Sequence, residues 1–250
     1  SSTSRGLGDV YKRQAFIHGG PFANIAHGNS SIIADRLALG AADIVVTEAG
    51  FGSDMGAEKF MHIKAANSGK APDCVVMNVT VRSMKLHGGA FGSRGGYRPT
   101  KEELDKEDVD AVMRGAQGNL DRHIRNMAGF GMPVIVSINR FTADTDGELE
   151  ALSAAARASG AHAVTLTEVH ANGGKGGEAL ARAVVSAIQD HVAAGRPFTP
   201  LFQNNAPIMD KVNGIAKRIY KAEGVQVEAK AKKQLDAIEA WGYGLSLIHI

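Results

Sequence analysis

The sequence predicts an α/β fold in which a parallel sheet carries helices on both faces. Apolar runs rich in β-branched residues occupy Asp73–Val81, Pro133–Ile138 and Ala163–Thr167, and segments with helical spacing separate them. Strands that are apolar throughout are typical of a parallel sheet that is buried on both sides. Ligands of such sheets bind beyond the carboxyl ends of the strands, so we expect a site in the loops that follow strands.

The first elements precede residue 70. A short helix is predicted around Ile32–Leu37, after the capping residues Asn29–Ser31. The β-branched run Asp43–Thr47 predicts a further strand, and a glycine-containing turn leads from it to a helix near Gly56–Ala66.

The clearest helix lies in the middle of the chain. Apolar residues are spaced by three and four from Val109 to Met127, and Gly129 and Gly131 end the pattern. Turn signals in Phe141–Gly147 predict a boundary between a first domain, residues 15–142, and a second, residues 143–244. Three more helices are expected at Leu149–Ala158, Leu180–Val192 and Ile208–Lys221.

The composition is ordinary for a globular protein. The chain has 250 residues, and 28 Lys and Arg against 26 Asp and Glu leave a net charge of +2, far below that of a general nucleic-acid binder. No apolar run approaches the ~18 residues of a membrane-spanning helix. The single cysteine, Cys74, cannot form an internal disulfide, and the N-terminus lacks an apolar leader, so we expect a cytoplasmic protein.

Three turns rich in glycine, histidine and charge lie beside the apolar runs. They read HGGPFANIAHG from His18, TEAGFGSDMGAEKF from Thr47 and VRSMKLHGG from Val81. Glycine-rich loops let backbone amides approach bound anions, so these turns indicate a ligand site.

In the second turn Gly52 and Gly56 allow a tight connection, and Asp54 is expected to cap the following helix, with Glu58 and Lys59 in its first turn. The strict dinucleotide fingerprint is not met, so a structural turn and a ligand loop both stay open.

In the third turn Arg82, Lys85 and His87 form a cationic group that suits a phosphate or carboxylate; a solvated strand end is the alternative.

The first turn contains His18, Asn24 and His27, which we expect to hold the loop or to hydrogen-bond a substrate. Histidine spacings match no compact zinc site, so no metal site is predicted. A later turn around Lys175, HANGGKGGEALA, is similar to a phosphate cradle but lacks the Walker A order, which occurs nowhere in the chain.

In this order and at these separations, the three turns closely resemble those of the formate–tetrahydrofolate ligase family. The third looks like the family signature V-A-T-[IV]-R-A-L-K-x-[HN]-G-G, and retains its Arg, Lys, His and paired Gly residues as Arg82, Lys85, His87, Gly88 and Gly89. The resemblance extends from Ala15 to Gly244. It implies an α/β fold related to P-loop NTPases and a homotetramer.

The resemblance also implies ATP-dependent chemistry. Formate is phosphorylated to formyl phosphate, and an amine nitrogen of tetrahydrofolate then attacks the formyl carbon to give 10-formyltetrahydrofolate, ADP and phosphate. The substrates would be formate, ATP with Mg²⁺, and tetrahydrofolate; a monovalent cation as activator stays open. Neither nucleic acid nor a membrane is expected as a partner.

Family roles transfer to matching residues. Arg82, Lys85 and the amides of Gly52–Gly56 would form the formyl-phosphate pocket, with Asp54, Glu58 and Lys59 positioning substrate. Phe141, in the family's N-x-F turn, would pack against the pterin. His170 stands where the family has a Trp, so folate affinity or its pH dependence is expected to differ.

Both ends depart from the family. Residues 1–14 and 245–250 do not resemble it, and the family's ATP-binding P-loop does not occur in this chain. We therefore expect a central portion of a longer enzyme, with little or no turnover alone. The alternative function is a non-catalytic α/β module that binds an anion or nucleotide.

Overall fold

The computed structural model describes residues 30–90 and 99–244. The chain divides into two compact units, residues 1–71 and 72–250. The predictions for His18, Asn24 and His27 lie outside the described residues.

The first unit contains two helices. Helix α1 covers Ile32–Ala41 and begins where Ser31 Oγ accepts a hydrogen bond from the backbone N–H of Ala34, at 3.1 Å, which confirms the predicted helix and its capping segment. Helix α2 covers residues 53–68, with π-helical hydrogen bonding in its segments Ser53–Ala57 and Phe60–Ala65. It ends at Gly69, whose φ of 68° is left-handed.

The strand predicted at Asp43–Thr47 is wrong. The segment forms no strand, and the side chain of Val46 is 91% exposed. A β-branched run becomes a strand only where a neighbouring strand pairs with its backbone, and no described strand pairs with this one.

The second unit contains the sheet. Its strands are β1 (Val75–Val79), β2 (Val134–Asn139) and β3 (Ala163–Thr167), in that spatial order and all parallel. Val75 pairs with Val134, and Ile135 pairs with Ala163. The middle strand β2 is buried from Val134 to Ile138, on both faces, whereas Val76 of β1 and Leu166 of β3 are partly exposed.

The helices of the second unit connect and cover these strands, which confirms the α/β class and the parallel sheet. They are α3 (Val81–His87), α4 (Lys101–Asp105), α5 (residues 109–128, with a π-helical segment Ala116–Leu120), α6 (Asp146–Ala158), α7 (Val169–Asn172), α8 (Glu178–Ala194), α9 (residues 208–219, with a π-helical segment Ile215–Ile219) and α10 (Ala229–Ala240). Helices α5, α6 and α8 pack against the sheet. The long helix predicted from Val109 ends at Gly129 as expected.

Helices α3 and α5 touch backbone to backbone. A Cβ atom on Gly88 would overlap the carbonyl oxygen of Ala111, and one on Gly115 would overlap that of Met84. Glycine is therefore required at both positions for this close approach, which fixes α3 beside α5.

The strands β2 and β3 pair with each other across the predicted boundary at residue 142, and the predicted domain division stays a prediction. Across residues 30–90 and 99–244, none of the helices combines the length and the apolar character needed to cross a bilayer.

Candidate active site

The third sequence turn is a helix rather than a loop. Helix α3 starts directly after β1, where Thr80 Oγ1 accepts from the N–H of Ser83 at 3.1 Å and Ser83 Oγ accepts from the N–H of Thr80 at 3.3 Å. This reciprocal pair is a capping box, and it places Arg82 at the carboxyl end of β1. The helix itself was not predicted, although Thr80 followed three residues later by Ser83 was an available signal.

Arg82 and Phe141 come together at the ends of β1 and β2. The guanidinium carbon of Arg82 lies 4.7 Å from the centroid of the Phe141 ring, a cation–π contact. Arg82 Nη2 lies 2.6 Å from Asp105 Oδ1, and the Arg82 side chain is 28% exposed. Its Nε atom is buried and has no hydrogen-bond partner among the described residues. One donor of this guanidinium, the Nε–H group, is therefore unpaired in the described chain.

The turn that carries Phe141 is fixed by Asp144. The backbone N–H of Phe141 donates to Asp144 Oδ2 at 2.8 Å, and Asp144 is buried. Burial raises the pKa of the Asp144 carboxyl, the hydrogen bond from Phe141 lowers it, and the nearby Glu148 carboxylate adds to the rise. The Phe141 side chain remains 37% exposed, so its ring is accessible beside Arg82.

Lys85 faces the protein interior. Its side chain is 2% exposed, and Nζ lies 2.6 Å from Glu148 Oε1, 3.0 Å from the carbonyl oxygen of Leu104 and 2.8 Å from that of Lys106. An ammonium has three donors, and these three acceptors use all of them. In this arrangement Lys85 joins α3 to the end of α4 and to α6, and the phosphate contact suggested by the sequence stays a prediction.

Glu148 is the central acceptor of this arrangement. Its Oε1 also accepts from the N–H of Asp108 at 2.9 Å, and its Oε2 accepts from the N–H of Thr145 at 3.2 Å. Glu148 was not among the site residues predicted from the sequence. Its position three residues after Thr145, in another capping box, was the only local signal.

The turn of the first unit is tight, as predicted. The N–H groups of Met55 and Gly56 both donate to the carbonyl oxygen of Gly52 at 3.0 Å, and a Cβ atom on Gly56 would overlap the backbone of Gly50. Asp54 is exposed and does not cap α2: the cap position is Gly52, which has no side chain to accept a hydrogen bond. The expectation that Asp54 caps the helix is therefore wrong.

Glu58 and Lys59 follow on α2, and both are partly buried. Glu58 Oε2 lies 3.9 Å from His62 Nε2, but burial lowers the pKa of His62 to about 4, so the imidazole is neutral at pH 7. His62 was not among the predicted site residues. A single histidine on an otherwise apolar face gives no signal of its burial.

The third strand ends at the same edge of the sheet. Glu168, just after β3, lies 3.5 Å from Arg140, just after β2, and this pair is partly exposed. His170 lies on the short helix α7, two residues beyond Glu168, and is exposed; His87, at the end of α3, is exposed too. Arg82, Phe141 and His170 therefore follow three adjacent parallel strands, and their role at a ligand site stays a prediction.

Within the described parts of the chain, no three His, Cys, Asp or Glu side chains are grouped closely enough to hold a metal ion.

Comparison with known proteins identifies the family. The family model described as "Formate--tetrahydrofolate ligase" matches residues 9–250, which extends past the Ala15–Gly244 stretch at both ends. Curated relatives with that name include proteins from Dinoroseobacter shibae (47% identical over 230 residues), Roseobacter denitrificans (48% over 230) and Symbiobacterium thermophilum (45% over 231).

Each of these matches covers 92% of this chain but only 39% of the relative, so the chain spans about two-fifths of the length of the curated relatives. The family model covers nearly the whole chain. The chain therefore belongs to the formate–tetrahydrofolate ligase family.

Proposed function

We propose that the intact protein ligates formate to tetrahydrofolate at the expense of ATP, giving 10-formyltetrahydrofolate, ADP and phosphate through formyl phosphate. Membership of the family supports this function, and one observation carries it: the contact of Arg82 with Phe141 at the carboxyl edge of the sheet. The reaction brings an acyl phosphate next to a reduced pterin, and this contact pairs a cation with an exposed aromatic ring.

Arg82 is the residue to which we assign the phosphate oxygens. Asp105 holds Nη2 and so fixes the plane of the guanidinium, while Nε has no hydrogen-bond partner in the described chain. The planar guanidinium is the group whose parallel N–H donors fit two oxygens of a phosphate. Because the Asp105 carboxylate offsets part of the Arg82 charge, further neutralisation is needed, and Mg²⁺ that enters with ATP would supply it.

Phe141 is the residue to which we assign the pterin. Arg82 covers one face of its ring, so the pterin would stack on the other, and aromatic stacking of this kind contributes about 0.5–1.5 kcal/mol beyond area burial. The Asp144 hydrogen bond holds the ring in place before a ligand arrives. His170, after the neighbouring strand β3, would supply a smaller stacking partner than the Trp of the family.

Several finer assignments belong to this proposal. The roles of Gly52, Gly56, Asp54, Glu58 and Lys59 at the phosphate, of Lys85 and His87 nearby, and of His18, Asn24 and His27 in holding substrate rest on the family resemblance. So do the relationship of the fold to P-loop NTPases, the homotetramer, the monovalent cation and the cytoplasmic location.

The test uses the intact-length protein and compares Arg82→Gln with Arg82→Lys. We expect Arg82→Gln to lower kcat/KM for formate by at least about a hundredfold, and Arg82→Lys to recover part of it, because Lys keeps the charge but not the fork. Phe141→Leu should raise KM for tetrahydrofolate and leave KM for ATP unchanged. Arg157→Gln, an exposed change on α6, is the matched control.

Wild-type kcat/KM in Arg82→Gln would rule out the assigned role of Arg82. An intact-length protein that binds ATP but forms no 10-formyltetrahydrofolate would favour the non-catalytic module instead.

A further inference from the structure

A second cationic pocket lies at the other edge of the sheet. A cavity of about 200 Å³ opens between α5, the segment around Leu201 and the end of α9. Phe130, in its wall, precedes β2, whereas Arg82 and Phe141 follow strands. The cavity is thus on the side of the strands' amino ends and is separate from the candidate active site.

The lining of this cavity is strongly positive. Four cations contribute to it, Arg122, Arg125, Arg218 and Lys221, and no carboxylate does. Arg125 pairs with Asp121 on its own helix at 2.8 Å, and Arg218 Nη1 donates to the carbonyl oxygen of Leu201 at 3.2 Å. For Arg122 and Lys221 the described ranges contain no ion-pair partner. Three of the four cationic residues that line this small cavity therefore have no carboxylate partner in the described chain.

The backbone at Lys221 gives independent support. Its φ is 57°, in the left-handed region, directly after the end of α9 at Ile219 and Tyr220. Glycine is the usual residue at such a helix end, and another residue there costs roughly 1–2 kcal/mol. A lysine at this position is less favourable for the fold than glycine, yet it adds a cation to the cavity wall.

We propose that this cavity binds a small anion with one or two phosphate groups. The arginine forks and the lysine ammonium suit phosphate oxygens. A cavity of about 200 Å³ is smaller than the ~300–1,000 Å³ of drug-sized pockets. At ~30 Å³ for each water it equals roughly seven waters, so it has room for a diphosphate but not for a whole nucleotide. The anion is either free diphosphate or the diphosphate end of a larger molecule that extends into solvent.

The apolar part of the cavity lining restricts the position of a bound anion. Phe130 and Ile219 form apolar walls and are almost completely buried, so the polar contacts come from the cationic rim. A dicarboxylate carries fewer charges than a diphosphate and should bind more weakly. The proposal does not depend on the ligase activity.

Isothermal titration of the 250-residue chain tests the proposal with inorganic diphosphate, ADP and succinate. We expect diphosphate to bind, with an affinity that falls as ionic strength rises, because the cations are partly exposed. Arg122→Gln and Lys221→Gly should each weaken diphosphate binding by about tenfold, the loss expected for one charge-assisted hydrogen bond. Arg157→Gln should not change it.

Two features of the design separate this site from others. Lys221→Gly should raise Tm while it weakens binding, since glycine relieves the left-handed backbone, so a loss of binding cannot be ascribed to unfolding. Binding that persists in Arg82→Gln excludes the candidate active site as its location. If ADP binds as tightly as diphosphate, the natural ligand is the diphosphate end of a larger molecule. If only diphosphate binds, the ligand is free diphosphate. Both results support the proposal. Undetectable binding, equal affinity for succinate, or unchanged affinity in both cavity variants would overturn it.

Discussion

The buried ion pair of Lys85 and Glu148 gives the most direct test of how α3 is held at the site. Lys85→Met removes an ammonium that makes three polar contacts and leaves the Glu148 carboxylate buried without a counter-charge. Three charge-assisted hydrogen bonds at about 1.5–3 kcal/mol each amount to roughly 4.5–9 kcal/mol, of which a buried Met side chain recovers about 1.5–3.

The difference, a net loss of roughly 3–6 kcal/mol, agrees with the ~3–5 kcal/mol that is typical when one partner of a buried ion pair is removed. We therefore expect Lys85→Met to lower the free energy of unfolding by about 3–5 kcal/mol, a large part of the ~5–15 kcal/mol that stabilises most proteins. Urea titration followed by far-UV circular dichroism measures this change.

A double-mutant cycle isolates the pair itself. Glu148→Gln alone leaves the Lys85 ammonium without its anion, and the double variant removes both charges. We expect the double variant to lose about 1–3 kcal/mol less than the sum of the single losses. Lys101→Met, an exposed change on α4, should stay within about 0.5 kcal/mol of the wild type and serves as the control.

Two results would refute this reasoning. Strictly additive losses would show that the charges do not interact. An unchanged urea midpoint in Lys85→Met, together with a large loss of turnover in the intact-length protein, would show that Lys85 leaves the interior and meets the phosphate.

Three further predictions concern partly buried residues. Burial lowers the pKa of His62 to about 4, so between about pH 6.5 and pH 4 the unfolded chain binds a proton at this residue and the folded chain does not. Tm should therefore fall as the pH drops from about 6.5 to about 4, and His62→Gln should flatten this part of the plot of Tm against pH. Burial, aided by the Asp73 carboxylate, raises the pKa of Cys74 to about 11, so a disulfide reagent at about pH 8 should react roughly a hundredfold more slowly with folded than with urea-unfolded chain; equal rates would contradict the burial. Gly88→Ala should cost about 1–3 kcal/mol in a urea titration because its Cβ meets the α5 backbone, whereas Gly118→Ala, within α5 itself and with open space around it, should cost nothing.

The sequence predicts elements well where local pattern and tertiary environment agree. The helix from Val109 repeats its apolar residues over several turns and then meets Gly129, so spacing alone defines it. Strand β2 is buried at every position from Val134 to Ile138 because it is the middle strand, covered on both faces. Arg82 and Phe141 follow adjacent strands, so the rule for parallel sheets is sufficient to bring them to one edge.

Local pattern fails where distant residues decide the outcome. Asp43–Thr47 has strand propensity but no pairing neighbour in the described chain, so propensity alone gives the wrong element. The ion pair of Lys85 with Glu148, on a helix far along the chain, is likewise invisible to local pattern, whereas the phosphate contact of Lys85 stays a prediction. Gly88 belongs to a predicted turn and Gly115 lies within a predicted helix, and only the packing of α3 on α5 shows that both serve contact between helices.

The parallel sheet also has a consequence for how the chain reaches its folded state. Val75 pairs with Val134, and Ile135 pairs with Ala163, so no two neighbouring strands can form a hairpin and each pairing must wait for a long crossover to close. Until then the apolar run of β2 is open to solvent and to other chains. Refolding yield should therefore fall as protein concentration rises, and chaperones that shield short apolar segments should restore it.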